Sequence, residues 1–328
     1  MMASLRFGGG GGLGVLAVLS SVGLLLGEPT FVWQVDEGST ATLSERNVPI
    51  LTYQLAPRSL EGRATRSNYL HPVMDLDGEV ITEDFPSDHI HHRGVFWAWH
   101  QLLLDGESIA DPWICQGMRW LEPEDGAQWI TTRSGPERAS ITVTHEWAVE
   151  GSPRPSPVQR VLREVMTVTA GASRGRYRIL DFDLTLRALV DQLALGGSDD
   201  AKGYGGFSPR IRLAEDVAFQ GDRGPIEPRR IAVEGGPWVD VRGSFGPRKG
   251  GVAIMVHPTH PNYPLRWILR ERSSMQNAQW PGRRPVPLSR AMPLHLRYRM
   301  VIHRGDLALS ELRMIWKHYA EDESGRQD

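Results

Sequence analysis

In "ASITVTHEWAVEG", Ile141, Val143, His145 and Trp147 alternate with Thr142, Thr144, Glu146 and Ala148. That period of two marks a strand with one buried face. "VLREVMTVTA" and "RYRILDFDLTLRAL" read the same way, and "GGVAIMVHP" and "LHLRYRMVIHRG" are further strands. In "RYRILDFDLTLRAL", Tyr177, Ile179, Phe182, Leu184 and Leu186 change phase near Asp181, which predicts a bulge there. Only "LALSELRMIWKHYA" repeats its apolar positions at helical spacing. Many short strands parted by Gly, Pro and Asp turns predict a mainly β fold, a large antiparallel β-sandwich with a C-terminal helix. A supersandwich of the mutarotase type is the larger form of that architecture. "EGSPRPSPVQ" (Glu150 to Gln159) reads as an exposed loop between strands, and "GPRKGG" (Gly246 to Gly251) as a hairpin tip. Neither divides the chain, so residues 28–328 are expected to form a single domain.

Ahead of that domain, Arg6 precedes the apolar run "GLGVLAVLSSVGLLLG". Its length fits the core of a secretory signal and is short for a membrane span. Residues 1–27 are therefore expected to be a signal peptide, and the mature protein secreted or periplasmic, with no membrane partner after cleavage. The net charge is −2 with 37 Lys and Arg against 39 Asp and Glu, so no basic field points to nucleic acid. The chain has 11 Trp against 7 Tyr and 8 Phe; broad indole faces either stack on sugar rings or pack the core. The lone Cys115 sits among apolar neighbours and is expected to be a buried structural thiol rather than a nucleophile.

The densest chemistry lies in "DFPSDHIHHRG", Asp84 to Gly94, with His100 close behind. If Asp88 to Arg93 is extended, His89, His91 and Arg93 share one face while Asp88 and His92 share the other. A His-x-His pair on a strand presents two imidazoles, here His89 and His91, to one divalent metal ion. A third ligand would have to come from His71, His100, His257, His260 or Glu83. Without metal, the same imidazoles are general acids and bases tuned by Asp84, Asp88 and Arg93. Two other segments are rich in polar groups. "DDAKGYGGFSPRI" brings Lys202, Tyr204 and Arg210 beside glycines that allow close approach of a ligand. "VHPTHPNYPLRW" brings His257, His260, Arg266 and Trp267 on a proline-stiffened loop.

Five blocks, "HPVMDLDGEVITEDFPSDHIHHRGVFWAW", "RILDFDLTLRA", "AKGYGGFSPRI", "GPWVDVRGSF" and "GGVAIMVHPTHPNYPLRW", occur in this order. Together they resemble the PmoA-like family of secreted bacterial proteins, named after methane oxygenase. The resemblance runs from about Tyr69 to Arg304. It implies a β-rich protein encoded beside sugar oxidoreductases and sugar isomerases. Matching family positions are His71, Asp88, His89, His91, His92, Arg93, Lys202, Gly206, Trp238, Asp240, His257 and Pro258. The chain departs from the family at "AWHQLLLDG" and at "DPW" (Asp111 to Trp113).

The resulting expectation is a secreted carbohydrate-active enzyme, acting by hydrolysis, elimination or epimerisation on a sugar or another small polar substrate. His91 and His92 are the expected acid/base residues, oriented by His89 and Asp88. Arg93, His71, Lys202, Tyr204 and His257 are expected to bind substrate, and Trp99 and Trp267 to stack on it, with Trp97 as a further candidate. The alternatives are a non-catalytic glycan-binding protein and a metal-dependent oxygenase.

Overall fold

A computed structural model of the chain describes residues 30–150, 158–245 and 248–322. The expected signal segment lies outside the described residues, as do most of the Pro/Ser-rich loop and the first two residues of the expected hairpin tip; paired strands flank both of these connections. Two large antiparallel sheets dominate. The first runs Phe31–Asp36, Thr40–Glu45, Val48–Gln54, Tyr69–Val73, Val95–Trp99, Gly205–Pro209, Asn277–Gln279, Arg266–Ile268 and Val233–Glu234 in spatial order. The second has the long strands Arg138–Glu150, Val158–Gly171, Tyr177–Ala188, Leu294–Arg304, Arg248–Val256 and Trp238–Phe245 at its centre. Neither sheet closes into a barrel.

The main core lies between the two sheets. Ile141, Val143, Trp147, Met166, Val168, Phe182 and Leu184 of the second meet Leu43, Leu51, Leu70, Trp97, Trp99 and Phe207 of the first. In Arg138–Glu150 and Val158–Gly171, period-two alternation put the core residues on one face, as expected. The strand Tyr177–Ala188 shows no bulge, because its register with both neighbours is continuous. Its even positions from Leu180 to Ala188 enter the main core, while Tyr177 and Ile179 pack on the opposite face under the helix Leu309–Ala320. The predicted phase change was a sheet covered on both sides. Leu312, Ile315 and Tyr319 are the buried helix residues; at its start, the Ala308 N–H donates to the Glu311 carboxylate at 2.9 Å, satisfying a donor that the helix leaves free.

Polar groups also enter the core. Glu164, fully buried between the sheets, accepts from the indole N–H groups of Trp97 and Trp147 and from the Asn68 amide, whose oxygen accepts from the Tyr53 hydroxyl. Burial raises its pKa to about 7 against the pull of those donors. His145, His257 and His260 move the other way: burial pushes each down to about 4. His260 bonds Tyr298 at 2.7 Å, whereas Nδ1 of buried His145 has no partner.

These shifts set an acid limit on stability. The three imidazoles bind protons in the unfolded chain near pH 6.5 but only near pH 4 when folded. Their contribution is complete above about pH 6.5 and is lost toward pH 4, at up to about 1.4 kcal/mol per pH unit for each group. Glu164 has the opposite sign, since the folded state holds its proton up to about pH 7. Joined by His71, His91 and His92, which are lowered as well, these groups outweigh the one carboxyl, so urea titrations should show stability falling from pH 6.5 to pH 4.5. Replacing His145 with Leu should flatten that fall without loss at pH 7; an unchanged slope would contradict the assignment. Independently, Leu312→Ala should cost about 2–4 kcal/mol by urea denaturation, because it opens a cavity under the helix.

Candidate functional site

The histidine segment is a loop, not a strand. The His89 N–H donates to the Pro86 carbonyl at 3.1 Å and the His92 N–H to the His89 carbonyl at 2.8 Å, two successive turns that abolish the alternation expected of Asp88 to Arg93. The loop is closed where Asp84 and Arg93 pair across its ends. All three rings then gather instead of splitting between faces. His89 and His92 stack at 4.7 Å and 4°, while His91 stands edge-on to both, at 5.7 Å and 4.7 Å. Gly94 lets the loop enter the sheet: a Cβ there would lie 1.8 Å from the Leu70 carbonyl oxygen.

Two buried guanidiniums hold this loop. Arg93, expected to touch substrate, has no exposed surface. It donates to Asp84 at 2.9 Å, to the Tyr69 hydroxyl at 3.2 Å and to the Arg58 and Ala64 carbonyls at 2.8 Å, and lies over the Phe85 ring. It is an anchor rather than a substrate contact, because it is fully buried and both terminal nitrogens are taken, with only Nε left without a partner among the described residues. Arg210 grips Asp88 with two parallel bonds of 3.0 and 2.9 Å and Glu83 with a third of 2.6 Å. Its remaining contact donates to His92 Nδ1 at 3.3 Å. That leaves His92 a neutral imidazole with its proton on Nε2, in keeping with a pKa that burial, His91, His89 and Arg210 push down to about 2. Burial alone would raise the Asp88 pKa, but bonds from His89 and Arg210 hold it at about 2. Asp88 in turn orients His89 by accepting from Nδ1 at 2.7 Å.

His100 completes the group. Its Nδ1 donates to Asp111 at 2.9 Å, leaving Nε2 without a protein partner. Asp111 is itself fixed, accepting the Trp113 and Ile114 backbone N–H groups at 3.0 and 3.3 Å. The His100 ring stacks on Trp113 at 5.2 Å, and the same indole meets His92 edge-on at 5.9 Å and Tyr204 at 5.6 Å. Phe96, Ala98, Tyr69 and Met275 support Trp113. Phe96 and Ala98 alternate with the core residues Val95, Trp97 and Trp99, so the site occupies the outer face of the first sheet. His91 contacts His89 and His92 and lies within electrostatic reach of His100. Among the described residues no protein group bonds its ring, and burial, reinforced by electrostatic repulsion from His89, Arg66 and His100, lowers its pKa to about 4. His91 is thus neutral, half-buried and free to accept a proton or a hydrogen bond.

Tyr204 joins this group through Trp113, and Lys202 through Tyr204, its Nζ being 5.5 Å from that ring. Tyr204 also accepts from Arg270 at 2.7 Å. The glycines beside them serve chain packing rather than ligand approach: a Cβ on Gly206, which has a φ of +98°, would meet the Ala278 carbonyl at 2.8 Å. His71 bonds Thr82 at 3.0 Å on the Arg93 side of the loop and does not reach the rings. His257 lies on the second sheet under the C-terminal helix, bonded to Thr259 and Arg297 and edge-on to Tyr319. Trp99 and Trp267 are core residues, their indole N–H groups given to the Trp280 and Gly236 carbonyls, and Trp97 is committed to Glu164. None of these can stack on a ligand. Asp240, beside Trp238 on the second sheet, pairs with His303 at 3.0 Å in full burial. Cys115 is partly buried in the Trp113 turn. His89 and His91 are edge-on with one nitrogen of His89 already used, and among the described residues no three His, Cys, Asp or Glu side chains are placed to hold a metal ion.

Arg210, Asp111, Trp113 and Arg270 are the residues that motif reading undervalued. "DPW" and "SPR" gave a trace of the first three; Arg270 left none.

The family profile described as "Family of unknown function (DUF6807)" matches residues 40–317, and the chain belongs to that family. No curated protein matches the chain. Among the described residues, no helix is long and apolar enough to cross a membrane.

The tautomer assignment is open to test. Long-range proton–nitrogen NMR of ring-labelled protein should find His92 protonated at Nε2 only, with His91 and His92 still neutral at pH 5.5. Arg210→Gln should free His92 Nδ1 and let that ring titrate higher. An imidazolium at either position at pH 5.5 would overturn the electrostatic picture.

Proposed function

Taking membership of a family of unknown function as the starting point, we propose that this chain is a carbohydrate-active enzyme whose histidine cluster moves protons on a sugar. The observation that carries the reading is neutral His91 in the neighbourhood of two imidazoles, His89 and His100, each oriented by a carboxylate through Nδ1. An oriented imidazole with a free Nε2 is the arrangement of a general base. Acceptor nitrogens beside the Tyr204 hydroxyl and Lys202 suit a ligand with many hydroxyls. The proposal includes export and the PmoA-like relationship expected from the sequence.

Among the three reactions considered, elimination and epimerisation fit better than hydrolysis. Glycoside hydrolysis uses a pair of carboxyl groups, one held protonated. Here Asp88, Glu83 and Asp84 are held by arginines and Asp111 by His100, and the Asp88 pKa lies near 2. An imidazole can remove a carbon-bound proton only where a neighbouring carbonyl or carboxyl group acidifies it. In the proposed step, His100 Nε2 takes that proton and the bonding pair moves into the carbonyl to give an enolate. The pair then returns to form the new double bond as the substituent on the next carbon leaves. The proton on His100 passes to the leaving oxygen, so one sugar yields an unsaturated sugar and an alcohol. Proton return to the opposite face, from water, gives the epimer instead.

Incubation with oxidised sugars and uronides in deuterated water should incorporate deuterium next to the carbonyl or yield an unsaturated product. His100→Asn and Asp111→Asn should each lower the rate by about 10²–10⁴, and His91→Gln should also lower it. Saturable sugar binding with neither exchange nor product would replace the enzyme with a glycan-binding protein. Unimpaired turnover in His100→Asn would move the chemistry elsewhere.

A further inference from the structure

We infer that the Tyr204 edge of the site binds a carboxylate, so that the ligand is an acidic sugar such as a uronic acid or uronide. Only the choice of a sugar rests on the acid–base reading above; the anion site stands on its own geometry.

The central observation is Arg270. Its guanidinium is half-buried and donates to four groups, the carbonyls of Arg229, Leu269 and Arg230 and the Tyr204 hydroxyl, at 2.7 to 3.0 Å. None of these acceptors carries a charge, and among the described residues no carboxylate lies within ion-pair distance of it. Arg93 and Arg210, by contrast, each have carboxylate partners. A partly desolvated cation without a counter-ion is costly, and an arriving anion offsets that cost. The backbone also holds Arg270 in place: its N–H donates to Gln276 and its carbonyl accepts from the same amide, both at 2.9 Å.

The surroundings reinforce the sign. Because Tyr204 oxygen accepts from Arg270, the phenol's own proton is free to be donated onward. Lys202 lies over the Tyr204 ring and only loosely meets Asp200, at 3.7 Å. Arg229, Arg230 and Arg272 flank Arg270 in sequence or contact and are exposed, without an ion pair among the described residues, and Glu271 is the nearest acid in sequence. With its four terminal N–H bonds taken, Arg270 supplies fixed positive charge, while the Tyr204 hydroxyl and the Lys202 ammonium supply the donors of a carboxylate subsite. It adjoins the imidazoles through Trp113, which touches Tyr204 on one side and His100 on the other. A carboxylate neutralised at the Tyr204 edge would acidify the C–H next to it, beside the histidine that could remove it.

Isothermal titration of the full chain with galacturonate and galactose, and with glucuronate and glucose, tests this. Each uronate should bind at least about tenfold tighter than its neutral counterpart, and the gap should narrow in about 0.5 M salt. Arg270→Gln should abolish the preference. Lys202→Gln, a half-exposed change with little bearing on folding, should weaken uronate binding by about threefold to tenfold and the neutral sugar by less. Neutral sugars binding as tightly as uronates, or a preference that survives both substitutions, would overturn the anion site. Preferential uronate binding without exchange or product would keep the anion site and defeat the enzyme reading. Turnover confined to neutral keto-sugars would do the reverse.

Discussion

The clamp between Arg210 and Asp88 is the constraint on which the site depends. Burying both ions is expensive, and it is tolerable because the guanidinium is almost fully satisfied: two bonds to Asp88, one to Glu83 and one to His92. Each of those bonds has a consequence for a histidine. Asp88, kept ionised, orients His89; Arg210, by donating to Nδ1, fixes the tautomer of His92. Arg93 performs the mechanical half of the task by tying the loop ends to Asp84. A glycine-containing loop rich in imidazoles would otherwise have many conformations, and the buried charges select one.

The strand Val95–Trp99 couples this site to the interior. Every residue of it is buried, but on alternate sides: Trp97 and Trp99 enter the space between the sheets, while Phe96 and Ala98 support Trp113 outside. Trp97 is pinned to Glu164, which also holds Trp147 and Asn68. A polar network in a core costs stability unless every member is satisfied, and this one gives the carboxylate three N–H donors. The rigid platform beneath the imidazoles is therefore built from inside the sandwich, by residues that no ligand touches.

How much of this could be read from the chain depends on the range of the interactions. Alternation in Arg138–Glu150 and helical spacing before Ala320 are local signals, and both elements formed as expected. Tyr177 and Ile179 misled because periodicity records burial, not the surface that does the burying; the helix covers them from a distance of more than a hundred residues in sequence. The histidine loop was legible as a cluster of imidazoles but not as a shape, since its turns depend on Arg210, far along the chain. Trp99 and Trp267 looked available for stacking because composition does not reveal that backbone carbonyls already take their N–H groups. Arg270 was invisible for a related reason: its partners are distant carbonyls and the Tyr204 hydroxyl, and no local motif marks them.

The distribution of charge around the imidazoles has its own logic. Buried Arg66 and Arg210 help to keep His91 and His92 neutral, and Arg270 adds an uncompensated cation on the far side of Trp113. Neutral imidazoles are poor partners for an anion at rest. They can nevertheless accept a proton while nearby fixed cations stabilise the negative charge left behind. A site built to bind an existing anion would need only the cations; one built to move metal electrons would need converging ligands. Neutral bases set within a positive field are suited to creating negative charge on a bound ligand, and that is the electrostatic ground for the proton abstraction proposed above.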